Sequence, residues 1–343
     1  MNEIKYNINF DKLCKELHLG DIIVEPTPLA GGFLHRMFAV ETTKGKYAIK
    51  ALNPNIMLRP TAMKNYMDSE RIANFSSSYI EALPAKNINN SFMHQVDNQY
   101  YLIFDWIDGT CLKPDELSKE HCEKIGLILA KIHNIDFSSL NIQKKFDSND
   151  LNNFQWTYYL QKGIEFHAEW IDLLQTNIDK LATWSLESKK AQESLSKDIK
   201  ISHRDLDPKN VLWVQDSPII IDWESAGFIH PLQELIETAI YWAESKTSNF
   251  DKERFISFLD GYKKGSKKID ANWHLVLCGG FLGKLEWLEY SLKRSLGLEC
   301  TDTKEQQLGT EQVTYTIQSL IQYENLMIEI EELLKEYYEH NLK

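Results

Sequence analysis

Residues 202–224 read S-H-R-D-L-D-P-K-N-V-L-W-V-Q-D-S-P-I-I-I-D-W-E, from Ser202 to Glu224. Two acids and an amide fall at set intervals in this stretch: Asp205, then Asn210 five residues on, then Asp222 at the end of the apolar run Pro218 to Ile221. Leu206 to Lys209 is just long enough to return Asn210 beside Asp205. Val211-Leu212-Trp213-Val214 has the composition of a strand, and Gln215-Asp216-Ser217-Pro218 that of a turn. The resulting hairpin brings Asp222 back toward Asn210.

Such a trio suits the transfer of a phosphoryl group from a nucleoside triphosphate to a hydroxyl. That reaction needs little covalent help from a protein. It needs the acceptor proton to be taken and the charge on the phosphate oxygens to be neutralised. Asp205 stands at the position for the first task, and Asn210 and Asp222 offer the hard oxygen ligands that Mg²⁺ prefers. The pattern H-R-D-x-x-x-x-N, followed by a hydrophobic strand and I-D-W-E-S-A-G, resembles the protein-kinase-like superfamily, and within it the aminoglycoside phosphotransferase and choline kinase branch. The resemblance implies an α+β bilobal protein-kinase-like fold. Residues 1–106 would form an N-terminal nucleotide-binding lobe, an antiparallel sheet with one main helix. Residues 107–343 would form a larger, mostly helical lobe for catalysis and acceptor binding, with a helical insert at 150–197. Mg²⁺ and ATP or GTP are the implied cofactor and donor.

Composition sets the outer limits. A chain of 343 residues, 43% hydrophobic and with nine Trp, can fill two or three cores. No apolar run approaches the roughly 20 residues of a membrane span, and the first ten residues lack the apolar centre of a signal peptide. A membrane association is therefore not expected. Five scattered cysteines, Cys14, Cys111, Cys122, Cys278 and Cys300, have neither disulfide nor zinc spacing, which fits a reducing cytoplasm. Of the 38 basic and 50 acidic residues, 11 of each lie before Ile107, leaving 27 bases against 39 acids in the remainder. So acidic a surface is a poor partner for nucleic acid. It suits a cationic acceptor, although solubility alone also accounts for it. Glu224, Asp207, Glu286 and Glu289 are the acids singled out as candidates to face such an acceptor.

Taken in order, Phe10 to Gly20 reads as a short amphipathic helix and Ile22 to Leu29 as an extended run. Gly31 and Gly32 follow, in a turn where backbone amides can approach phosphates because no Cβ intervenes. The turn is similar to the shorter phosphate loop of the small-molecule branch, and an ordinary hairpin turn accounts for it equally. Met37 to Thr42 and Tyr47 to Leu52 are strands, and alternation puts Ala48 and Lys50 on one face. The A-I-K there matches the kinase signature, in which the small residue admits adenine and the lysine reaches the α- and β-phosphates.

A helix from Pro60 to Phe75 carries Met63, Tyr66, Met67, Glu70 and Ala73 on one face. An inward carboxylate needs a partner, and the resemblance supplies one, pairing Glu70 with Lys50. The strand Gln99 to Trp106 leads into Asp105-Trp106-Ile107, which the resemblance reads as a hinge. Backbone between Phe104 and Ile107, through Asp105, would hydrogen-bond the base, leaving ATP and GTP both open.

Beyond the hinge the pattern is helical: Ser118 to Ile135, then Asp150 to about Lys197, then Phe250 to Lys263, His274 to Leu296 and Glu311 to Tyr338. Glu234 matches an acid that in relatives braces the catalytic loop, where most carry Asp. No D-F-G or A-P-E is present, and the short interval from Asp222 to Pro231 has no room for a peptide-docking segment. The expectation is therefore a kinase of a small hydroxylated molecule, monomeric or dimeric. An aminoglycoside acceptor would make it an antibiotic-resistance enzyme; choline, homoserine or methylthioribose are the metabolite alternatives, and a nucleotide-binding pseudokinase regulator is the non-enzymatic one.

Overall fold

Period-two alternation builds the first half of the molecule. In the structure, a computed structural model describing residues 5–29, 34–143, 153–245, 250–266, 269 and 271–340, five strands form one antiparallel sheet: β1 (Ile22–Leu29), β2 (Arg36–Thr42), β3 (Gly45–Ala51), β4 (Met93–Val96) and β5 (Gln99–Asp105), in the order β1-β2-β3-β5-β4. One face of the sheet, with Val40, Ile49, Ala51, Tyr101 and Ile103, closes over Leu13 and Cys14 of α1 (Phe10–Glu16). The other, with Leu102 and Phe104, packs on Ile56 of α2 (Pro54–Met57) and on Ala62 and Tyr66 of α3 (Ala62–Ser76). Ala48 and Lys50 share this second face with α3. Strand β4 was not read from the sequence, although its signal is present: Asp97 and Asn98 between β4 and β5 both have positive φ, 49° and 64°, the two-residue turn that matches strand twist.

The chain divides into two compact units, one of Met1–Gln143, Ile201–Phe228 and Thr238–Ser266, the other of Lys144–Lys200, Ile229–Glu237 and Lys267–Lys343. The first holds the sheet together with α4 (Lys119–Asn134) and the loop-and-hairpin of residues 202–224. Ser118 caps α4 by accepting from the His121 amide, and the His121 ring accepts from the Ser118 amide in return. The second unit holds α5 (Trp156–Phe166) and α6 (Ile171–Leu195). Short strands follow: β6 (Lys200–Ser202), β7 (Val211–Val214) and β8 (Ser217–Ile220) as a hairpin in the first unit, and β9 (Gly227–Ile229) beside β6. Then come α7 (Pro231–Ala243), divided between the units, α8 (Lys252–Gly265) in the first, and α9 (Trp273–Gly279), α10 (Phe281–Ser295) and α11 (Thr303–His340) in the second.

Two helical contacts explain themselves through glycine. A Cβ on Gly126 of α4 would run into the Phe258 carbonyl of α8, and one on Gly261 of α8 into the Glu123 carbonyl of α4, so these helices meet backbone to backbone. The expected single helix His274 to Leu296 is broken at Gly280 into α9 and α10. The Tyr323 hydroxyl donates to the Leu277 carbonyl at 2.6 Å, and a side chain at 280 would strike that hydroxyl. The aromatic stripe of the second unit is core: Trp156, Tyr159, Trp170 and Trp184 are all buried, with Trp170 donating to Ser295 Oγ at 2.8 Å and Trp184 stacked on Phe281. Phe166 departs from that stripe and is exposed. No described helix is long and apolar enough to cross a membrane.

Candidate active site

Within the first unit, the loop after β6 is fixed from below before it presents anything. His203 is fully buried; its Nδ1 accepts from the Asp205 amide at 3.3 Å and its Nε2 donates to the Ile221 carbonyl at 3.0 Å, tying the loop to the end of β8. The buried Trp242 of α7 donates to the Leu206 carbonyl at 2.8 Å. Asp207 caps the turn by accepting from the Lys209 amide at 3.0 Å. Arg204 turns the chain through the left-handed region at φ 67°, a conformation uncommon for a residue with a Cβ.

On this base the three predicted residues come together. Asn210 Nδ2 donates to the Asp205 carbonyl at 2.8 Å and to Asp205 Oδ2 at 2.9 Å, and the Ile221 amide donates to the Asn210 carbonyl at 3.0 Å. Because the amide uses its hydrogens on Asp205, Oδ1 is its remaining acceptor end. Asp222 follows in the left-handed region, φ 58° and ψ 61°. The same β8 edge also pairs with the segment before β4: the Leu83 amide donates to the Ile220 carbonyl at 2.9 Å, and the Ile220 amide to the Glu81 carbonyl at 2.8 Å. The Asp205 side chain keeps 35% of its surface exposed. Desolvation by the surrounding loop, opposed by Lys209 with its ammonium 4.0 Å away, still pushes the Asp205 carboxyl up to about 7.

Lys50 reaches this group from β3. Its buried ammonium lies 2.7 Å from Asp222 Oδ1 and 2.8 Å from Glu224 Oε2. Burial works to lower its pKa, but the two carboxylates outweigh it and hold the ammonium well above the usual range. The expected pairing of Lys50 with Glu70 is corrected here. Glu70 is buried on α3 but turns its carboxylate to the Ala85 amide, which donates at 2.6 Å. A backbone donor is thus its bonded partner, and desolvation pushes its pKa up to about 7.

His35, which the sequence did not assign, lies beside Glu224 and is itself held by Asn53 and Tyr66. The buried His35 accepts from the Asn53 amide through Nδ1 at 2.9 Å, so its Nε2 carries the proton of the neutral ring. That nitrogen is 2.6 Å from the Tyr66 hydroxyl and 3.4 Å from Glu224 Oε2. Burial and the nearby Lys50 push the imidazole down to about 3, which keeps it neutral. Tyr66 was read only as one of an apolar stripe. The signal that could have marked it is its place one turn before Glu70 on the same inward face.

The other expected residues are distributed as follows. Ala48 is half-buried beside Lys50 on β3, Phe104 is buried at the end of β5, and Asp105 is exposed and paired with Lys86 at 2.6 Å. Ile107 is half-buried just beyond, where the Trp106 amide donates to the Lys46 carbonyl at 3.3 Å. Gly31 and Gly32 lie outside the described residues. Glu286 and Glu289 sit on α10 of the second unit, Glu289 accepting from the Tyr159 hydroxyl at 3.0 Å and pairing with Lys293 at 3.1 Å.

A sequence profile described as the APH phosphotransferase enzyme family matches residues 25–267, about 71% of the chain. The chain belongs to the APH phosphotransferase family. It is accordingly a phosphotransferase acting on a hydroxyl group, and the aminoglycoside and choline kinase resemblance is met. This APH-family enzyme is similar in fold to a spectinomycin phosphotransferase crystallised with ADP and spectinomycin, with a TM-score of 0.67 and 13% identity over 93% of this chain and 99% of that one. It is also similar to a choline kinase of Cryptosporidium parvum, with a TM-score of 0.57 and 14% identity over 93% of this chain and 96% of that one. An uncharacterized protein in the ileS 3' region of Staphylococcus aureus is 27% identical over 115 residues, 34% of this chain and 76% of that protein.

Proposed function

We propose that this APH-family enzyme transfers the γ-phosphoryl group of ATP or GTP to a hydroxyl of a small, cationic acceptor of the aminoglycoside kind. Asp205 acts as the proton acceptor, Asn210 and Asp222 as the Mg²⁺ ligands, and Lys50 as the phosphate-binding cation. The observation that supports it best is the joint placement of Asp205 and Asn210. One amide group orients the carboxylate through its two donor hydrogens while keeping an oxygen as a ligand.

The donor set fits Mg²⁺. Among the described residues no group of three or more His, Cys, Asp or Glu could hold a metal by itself. A Mg²⁺ shared with phosphates needs only one or two protein oxygens, which Asp222 and Asn210 supply. When bound, the ion would neutralise charge on the transferring phosphate. The protein's own part is positional: Asp205, partly exposed and with its pKa near neutrality, can take the acceptor proton at ordinary pH.

The cationic acceptor rests on the acid excess after residue 106. Three of the acids singled out already carry protein cations, Glu224 with Lys50, Asp207 with Lys209 at 3.5 Å, and Glu289 with Lys293, so the field of the region supports this reading more than any one of them does. The test is a phosphate-transfer screen over spectinomycin, aminoglycosides, choline, homoserine and methylthioribose. With the best acceptor, Asp205→Asn is expected to lower kcat by roughly 10²–10⁴-fold while MgATP affinity is retained. KM for a cationic acceptor should rise with salt far more than KM for MgATP. A neutral acceptor, or a salt-indifferent KM, would refute the charge assignment; full kcat in Asp205→Asn would remove the base. Tight nucleotide binding with no transfer to any acceptor would favour a regulator.

A further inference from the structure

The Lys50 ammonium has two carboxylates and neither is Glu70. Its bonds go to Asp222 at 2.7 Å and Glu224 at 2.8 Å. If Mg²⁺ draws on Asp222, as the phosphotransfer reading requires, one of the two anchors of Lys50 must be given up to the ion. The other is then the sole carboxylate that holds the lysine in place, and it is the better supported of the two. Glu224 leaves 16% of its side chain exposed against 35% for Asp222, and the Nε2 of a buried imidazole, that of His35, lies 3.4 Å from its Oε2. His35 is fixed in turn at both ring nitrogens, by the Asn53 amide at 2.9 Å and the Tyr66 hydroxyl at 2.6 Å. Tyr66 is rooted in α3, which packs on the short helix Trp223–Ser225 that contains Glu224.

We propose that Glu224 positions Lys50 for the donor phosphates, and that His35 and Tyr66 are positioning residues that hold Glu224. In this arrangement α3 acts on the lysine through Tyr66, His35 and Glu224, instead of through a carboxylate of its own. Without Glu224, the ammonium would fall back on Asp222 alone and compete with Mg²⁺ for it. The inference rests on the phosphotransfer reading, because the cost is felt only when Asp222 must bind an ion.

The experiment is a calorimetric titration of the full-length protein with MgATP, wild type against Tyr66→Phe, Glu224→Gln and Lys50→Met and the two double variants with Lys50→Met, each checked for a wild-type unfolding midpoint. Both shape-preserving variants remove one polar function without opening a cavity. Glu224→Gln removes a charge-assisted bond, and MgATP affinity is expected to fall about ten- to a hundredfold; Tyr66→Phe removes one hydroxyl, and about fivefold is expected. In the Lys50→Met background neither should cost anything further. The proposal is overturned if either single variant binds MgATP as wild type does. It is overturned equally if the losses persist in full without Lys50, the result that direct contact of Glu224 with the metal would give. Wild type that fails to bind MgATP would overturn the nucleotide reading itself, and this inference with it.

Discussion

Glu70 shows how one residue can be recognised as special and still be given the wrong partner. Its inward position follows from helical spacing, and burial was foreseeable, but which donor fills its lone pairs is a matter of a few ångströms between β3 and the segment at Ala85. That segment carries no motif, so the sequence could not rank a backbone amide against Lys50. The consequence is measurable. A carboxyl whose folded pKa is raised from 4.5 to about 7 binds its proton more tightly in the folded state, so its stabilising contribution is whole below about pH 4.5 and is lost as pH rises to 7. The loss is on the order of 3 kcal/mol at about 1.36 kcal/mol per pKa unit. Glu70→Gln keeps an oxygen for the Ala85 amide and removes the titration. Denaturant unfolding at pH 5 and pH 8 should therefore show wild type losing more stability between the two than the variant, whose remaining loss is that of Asp205, also raised to about 7. Parallel losses in both proteins would rule out Glu70 as their source. By contrast Asp205, Asn210 and Asp222 were legible because their spacing is local: five residues of loop and one hairpin leave little freedom in where they meet.

Elements were legible where periodicity runs long and less so where they depend on a neighbour. The strands β2, β3 and β5 and the helices α3 and α4 fall within two residues of their expected bounds. The break between α9 and α10 does not, since it is imposed by Tyr323 from α11, 46 residues beyond the carbonyl it binds. The α4 and α8 contact is similar: no sequence pattern announces that Gly126 and Gly261 approach each other's helix backbone. There a methyl group has nowhere to go. Gly261→Ala, which helix propensity alone would favour by up to about 1 kcal/mol, is expected instead to destabilise by about 1–3 kcal/mol through overpacking. Chemical denaturation of the full chain decides the sign, and a stabilised variant would show that the two helices can part.

For the molecule as a whole, the expectation of lobes at 1–106 and 107–343 meets a first unit assembled from three separated stretches, 1–143, 201–228 and 238–266. Length and composition speak of how many cores a chain can fill, but not of which stretches fill them. The β8 edge is bonded to residues 81 and 83, and the face of α3 that holds Tyr66 packs on the helix containing Glu224. A fragment of residues 1–106 would leave both uncovered. It is expected to lack a cooperative thermal transition, whereas the full chain is expected to show one; a fragment that melts sharply on its own would make the first lobe an autonomous domain.

The three-part construction also sets a schedule on the ribosome. When the last residues of the sheet and α4 have been made, at Asn134, the hairpin β7–β8 that ends at Ile220 is still to come, and α8, which begins at Lys252, is more than a hundred codons away. At roughly 5–20 residues per second, the nascent sheet waits on the order of ten seconds with its α4 glycine face and its edge beside Leu83 unpaired. Helices α5 and α6 of the other unit are synthesised during that interval. The early half of this enzyme is therefore the part whose yield should respond most to chaperone supply and to translation speed.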